Sequence, residues 1–206
     1  MQHIQSLQSL INELCKLPGI GVKTAQRLAY FILKKSDQNI PALVQSLNDI
    51  QANVKLCNKC FDFTEQKQIC DTCTNHKRNA QNICVVEDPS GIQKIESAGV
   101  YNGLYHVLHG SLSPLDGIGV EDLKIAELFK RIEESLVTEL PITEIIFALD
   151  PDLEGDTSIL YISKQLSNYK NIKITQLAHG VPVGGDIEYI NYRTLAKALE
   201  NRIEVS

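Results

Sequence analysis

The sequence predicts a multidomain α/β protein in four parts: a helical N-terminal region, a small cysteine-rich segment, an α/β domain around a central, mostly parallel sheet, and a C-terminal extension. Three observations predict it. Apolar residues recur at helical spacing up to about residue 54, four of the six cysteines crowd between residues 57 and 73, and beyond them short apolar runs alternate with amphipathic stretches. The boundaries fall at 1–54, 55–78, 79–175 and 176–206.

The first region reads as three helices. Ile4, Leu7, Leu10, Ile11 and Leu14 share one face; Pro18, Gly19 and Gly21 punctuate; Val22, Ala25, Leu28, Ala29 and Ile32 resume the period to about Lys35. A third helix is expected from Pro41 to Val54. Residues 55–78 are polar, without a sustained period, and have too few apolar side chains for a core of their own. After them, Ile83–Val86, Leu104–Leu108, Glu144–Leu149 and Lys173–Leu177 read as strands. Glu121–Leu136 and Ser158–Leu166 read as helices. No repeat or low-complexity tract interrupts the pattern.

Composition narrows the class. A hydrophobic fraction of 43% supports a buried core. No apolar run reaches the roughly 18–20 residues that span a bilayer, and Met1-Gln2-His3-Ile4 lacks the basic and apolar regions of a signal peptide. A soluble, cytoplasmic protein without membrane partners is expected. The net charge of −5 divides unevenly, +4 over residues 1–84 and −9 over 85–206. A basic front can face phosphates, and an acidic back suits a metal or a basic protein, although solvated surface charge gives the same count.

Four signals carry chemistry. Leu17-Pro18-Gly19-Ile20-Gly21-Val22-Lys23-Thr24-Ala25, between two apolar-periodic helices, resembles a helix-hairpin-helix motif. Gly19 and Gly21 permit the tight turn, and free N–H groups at the start of the second helix can hold a phosphate. Lys23 and Arg27 lie four apart and project from one face toward neighbouring phosphates. An ordinary interhelical turn, or a protein contact, is the competing reading.

Cys57-x2-Cys60-x9-Cys70-x2-Cys73 supplies four thiolates to one tetrahedral zinc; four protein ligands close the shell and make the metal structural. His76 is a conceivable substitute ligand. Cys15 and Cys84 fall on apolar faces and read as small core residues.

The third signal is acidic. Glu87 follows the strand at 83–86, and Asp150, Asp152 and Glu154 follow the strand at 144–149. Parallel strands end on one edge, where such carboxylates can share Mg²⁺; an acidic loop in solvent is the alternative. Glu144, just before the second strand, is expected to extend the same surface. The pattern Val86-Glu87-Asp88-Pro89-Ser90 with Asp150-Pro151-Asp152-Leu153-Glu154-Gly155 resembles the Toprim domain of topoisomerases, primases and some nucleases, in which these acids coordinate Mg²⁺. Two departures matter: Leu153 stands where those enzymes often carry a basic residue, and Gly91 where a Lys often follows Pro-Ser.

The fourth signal is a pair of Gly/Pro-rich loops, Tyr105–Gly119 and Leu177–Tyr189. They carry His106, His109 and His179 without a paired nucleophile, which favours structural or interface roles.

In this order, helix-hairpin-helix, four cysteines, Toprim-like acids and a C-terminal Gly180-Val181-Pro182-Val183-Gly184 segment, the chain resembles the bacterial RecR family over essentially its whole length. The resemblance implies a non-catalytic recombination mediator of DNA repair, located at the nucleoid. It implies a homotetramer that encircles single- or double-stranded DNA without sequence preference. The implied partners are RecO and RecF, with a functional link to RecA loading at gaps coated by single-strand-binding protein. DNA contact is implied at Lys23 and Arg27, and partner contact on the Toprim surface. The rival readings are a Mg-dependent Toprim nuclease or topoisomerase-like enzyme, and a zinc-stabilised adaptor that does not touch DNA.

Overall fold

The computed structural model describes residues 4–34, 36–178 and 180–204; of residues 36–39 it describes the backbone only. His179 and Lys35 lie outside the described residues. The chain divides into two compact units, Met1–Val54 and Lys55–Ser206.

In the first unit, α1 (Gln5–Cys15) and α2 (Val22–Lys34) pack through Ile11, Ala25 and Ala29, with Leu7, Leu10, Leu14, Cys15 and Ile20 around them. The two alanines leave α2 without bulk at the crossing, so α1 comes close. α3 runs Ser36–Asn53. It begins before Pro41, which therefore lies inside the helix and not at its first turn.

After α3 come a short two-stranded sheet, β1 (Val54–Leu56) and β2 (Phe63–Glu65), and one helical turn, α4 (Asp71–Thr74). Then follow β3 (Asn79–Val86), α5 (Pro89–Ala98), β4 (Gly103–Val107), α6 (Ile125–Ser135), β5 (Glu144–Ala148), α7 (Leu153–Leu166) and β6 (Lys173–Gln176). The strands form one parallel sheet in the order β4-β3-β5-β6. Alternate residues of β3 serve opposite faces. Ile83 and Val85 join Phe147, Leu128, Ile132 and Ile162 on one side, while Cys84 and Val86 join Ile92, Tyr105 and Val107 on the other. Burial on both faces is what a parallel sheet between helical layers requires. Arg78 ties the end of the cysteine segment to this body. Its guanidinium donates to Gly103 O at 2.8 Å, meets the Glu96 carboxylate at 2.6 Å and lies over the Tyr105 ring. At the C-terminal end stands α8 (Tyr192–Glu200), capped by Asn191.

The region expected as one helix from Glu121 to Leu136 is divided. A 3-10 turn at Val120–Asp122 precedes α6, because Leu123 is drawn into the core and Lys124 N–H turns to Leu108 O.

Candidate functional sites: a helical hairpin, a cysteine quartet and an acidic sheet edge

The hairpin between α1 and α2 closes on Gly19, whose φ of +77° is left-handed and favours glycine. The first bond of the α2 ladder runs from Ala25 N–H to Gly21 O at 2.9 Å, so the helix does not itself use the amides of residues 22–24. Lys23 and Arg27 are both exposed on α2. The turn thus presents a helix N-terminus beside two cations, an arrangement suited to phosphate.

The thiols of Cys57, Cys60, Cys70 and Cys73 lie within 4.8 Å of one another. Cys60 Sγ and Cys70 Sγ are 3.5 Å apart, close to the ~3.8 Å that a tetrahedral site with 2.3 Å metal–sulfur bonds demands. Two backbone amides, Lys59 N–H and Cys70 N–H, point at Cys57 Sγ at 3.5 and 3.3 Å. Hydrogen bonds from Cys60 and Cys73 hold the Cys70 thiol far below its usual range, and the Cys60 thiol is pushed up by the same contact with Cys70. The residues fit a metal ion: four soft donors, buried or half-buried, in a segment whose own core is little more than these cysteines. His76 is exposed and is not among the clustered ligands.

At the C-terminal edge of the sheet, the chain leaves β3 toward β4 on one side and leaves β5 toward β6 on the other. Between β3 and β5 this makes the crevice where open α/β sheets take ligands. Glu87 and Asp150 stand at its lips. Glu87 Oε1 accepts from Asp150 N–H at 3.0 Å. Asp152 caps α7, accepting from Gly155 N–H at 2.8 Å, and Glu154 lies in that helix's first turn. The apolar period starts this helix only at Ser158 and so misses the cap. Among the described residues, the cysteine quartet is the only group of three or more His, Cys, Asp or Glu whose ligand atoms are gathered together. Glu87, Asp150, Asp152 and Glu154 share an edge without converging on one point.

Glu144 does not belong to that edge. It is the first residue of β5, paired with Lys173 at 3.4 Å and with Asn82 and Thr175. A strand rises about 3.3 Å per residue, so Glu144 lies roughly 20 Å from Asp150, at the opposite end of the sheet.

His106 and His109 both bond backbone carbonyls within the second unit. His106 is fully buried, with Nε2 2.7 Å from Lys124 O and its ring edge-on to Phe61. His109 Nε2 is 2.7 Å from Phe61 O.

Comparison with known proteins places these features. Residues 7–51 match the model for the RecR helix-hairpin-helix, 81–178 the Toprim domain, and 180–203 the RecR C-terminal region. Over 206 residues, all of both chains, 50% of positions are identical to the recombination protein RecR of Bdellovibrio bacteriovorus. The chain belongs to the RecR family. A second relative, the recombination protein RecR of Chloroherpeton thalassium, is 45% identical over 201 residues, covering 97% of each chain. The C-terminal RecR match includes α8, whose Tyr192, Leu195, Ala196 and Leu199 recur at helical spacing behind the Asn191 cap, a signal the sequence reading passed over. No helix among the described residues is long and apolar enough to cross a membrane.

Proposed function

We propose that this RecR protein is a non-catalytic recombination mediator of the cytoplasmic nucleoid. It binds single- and double-stranded DNA without reading sequence, acts with RecO and RecF, and promotes RecA loading at gaps coated by single-strand-binding protein. The observation that carries the reading is the α1–α2 turn, where Gly19, the free amides after Gly21, and exposed Lys23 and Arg27 form one phosphate-facing surface. Its four functional parts are residues 1–54 for DNA, 55–78 for zinc, 79–175 as the Toprim body and 176–206 as the C-terminal segment. Zinc is the metal best suited to four thiolates in a tetrahedral site.

The Toprim edge serves as a dock for a basic protein such as RecO. Glu87, Asp150, Asp152 and Glu154 supply negative charge without the convergence that Mg²⁺ chemistry needs. Leu153, 70% exposed, adds an apolar contact in the middle of the acids.

The test is a titration of the full chain with DNA at several salt concentrations. Lys23→Ala with Arg27→Ala should weaken binding about equally for unrelated sequences, and flatten the salt slope by about 0.7–0.9 for each phosphate that is no longer neutralised. Wild-type affinity and slope in that variant would remove the site. Asp150→Lys should reduce RecO binding and leave DNA binding intact, because the backbone and not the side chain of Asp150 bonds Glu87. Mg²⁺-dependent strand cleavage that disappears in Asp150→Asn would replace this reading with an enzymatic one.

A further inference from the structure

We propose that His109 is a positioning residue that couples the cysteine quartet to the acidic sheet edge, so that metal occupancy governs the order of the loop at residues 108–119. The geometry starts in the first cysteine knuckle. Three successive carbonyls there are held by the Toprim body. Lys59 O accepts from Arg131 Nη1 at 3.3 Å, Cys60 O from Val107 N–H at 2.8 Å, and Phe61 O from His109 Nε2 at 2.7 Å. Phe61 is itself part of the knuckle, since its N–H donates to Cys57 O at 3.0 Å.

The bond between Phe61 and His109 joins two unusual positions. Phe61 has φ +61° and His109 φ +62°, left-handed backbone that non-glycine residues adopt only where the surroundings hold them. The Phe63 ring meets the His109 ring edge-on at 6.2 Å, adding to the restraint. Past His109 the path continues without a gap. Leu108 N–H donates to Val86 O at 2.9 Å and Gly110 N–H to Glu87 O at 3.0 Å, and the Glu87 carboxylate holds Asp150 N–H. One unbroken chain of bonds thus runs from the metal-binding knuckle through His109 to both lips of the crevice. The Phe61 ring packs on the sheet cluster of Cys84, Val86, Tyr105 and Val107, but the rest of the knuckle has little apolar core beyond the cysteines, so its backbone turn depends on the metal. When the metal leaves, the Cys57–Phe61 turn relaxes, Phe61 O shifts against the His109 ring, and the bond that helps keep His109 in its left-handed conformation weakens. The side chain of His109 is the link that reaches into the loop itself.

The consequence for docking rests on the reading of the edge given above, but the coupling can be measured without any partner, so the two fail separately. The measurement is amide hydrogen exchange of the full chain, metal-loaded and after treatment with a zinc chelator. In the wild type, metal removal should speed exchange at Leu108, Gly110 and Asp150 about two- to tenfold, the range that one net hydrogen bond commands. His109→Asn tolerates the left-handed backbone, but its amide ends one bond short of the imidazole Nε2. This variant should keep one metal per chain by elemental analysis and show the faster exchange already when loaded, with little added by the chelator. His109→Gln, which carries an N–H donor at the reach of Nε2, should restore the wild-type difference. The proposal falls if chelation speeds exchange at residues 55–78 and leaves 108–119 unchanged. It falls equally if loaded His109→Asn exchanges like the wild type, a comparison that needs no metal-free protein.

Discussion

Gly155 shows how one residue shapes the acidic edge. A Cβ built there would stand 2.0 Å from Asp150 O, which is backbone and cannot step aside. The glycine lets α7 begin directly against the strand-end loop, with Asp152 as its cap. Gly155→Ala should therefore cost about 1–3 kcal/mol, as overpacking does, read as a lower denaturant midpoint; an unchanged midpoint would show that the loop yields freely. His106 gives a second residue-scale prediction. Burial drives its pKa down to about 3, while the Lys124 carbonyl pulls up; Arg131 and His109 push down and Glu127 opposes them. The unfolded chain binds a proton near pH 6.5 and the folded chain does not. Stability is thus full above about pH 6.5 and declines as pH falls toward 3, by up to about 1.4 kcal/mol per pH unit. Urea melts across pH 4–7 should show a shallower decline in His106→Gln, whose amide can still meet Lys124 O. Equal slopes would mean that other groups carry the acid response.

At the scale of elements, the sequence was most legible where one period ran long. α1, α2, β3, β5 and β6 stand where apolar spacing put them, within a few residues. The elements that escaped were short or began on polar signals. α5 starts with Asp88 as cap and Pro89 at its first position and ends on left-handed Gly99, all readable marks, yet it hid behind the resemblance of Val86–Ser90 to a metal motif. α7 gained a first turn because its cap lies inside the acidic motif. α8 carries Tyr192, Leu195, Ala196 and Leu199 at helical spacing behind its Asn191 cap, readable marks overshadowed by the glycine-rich loop before them; none of its residues is fully buried. Glu144 was misplaced because adjacency in sequence to a strand does not say which end of the strand a residue occupies. The cysteine quartet was legible in full, since spacing alone determines a four-thiolate site, whereas the two-stranded sheet β1–β2 around it has no apolar period to announce it. The same dependence yields a prediction. Cys60→Ser should lower metal content well below one per chain and expose residues 55–78 to protease, while the sheet retains its far-ultraviolet signature. Full metal content in that variant would show that three thiolates and another ligand suffice.

The whole molecule leaves apolar surface that a single chain does not cover. On α3, Leu43, Leu47 and Ile50 form a stripe at helical spacing, each about half exposed or more, and Tyr30, Phe31 and Leu33 of α2 are similarly open. Far along the chain, Tyr192 and Leu199 of α8 lie seven apart, both exposed, near exposed Tyr189 and Ile187. Patches of this kind mark association sites. One self-complementary patch per chain makes a dimer; two independent ones per chain can close a tetramer with dihedral symmetry. The two stripes, one in each unit, give each chain the two patches that a homotetramer, the assembly expected from the family resemblance, would use. Replacing Leu47 and Ile50 with Asp puts charge into one stripe, and replacing Tyr192 and Leu199 with Asp does the same to the other. Either double change should reduce the wild-type tetramer to a dimer, and the two together should give single chains, read by native mass measurement and light scattering at micromolar concentration. A wild-type chain that stays monomeric there, or a tetramer untouched by both pairs of changes, would refute the assembly and with it the ring.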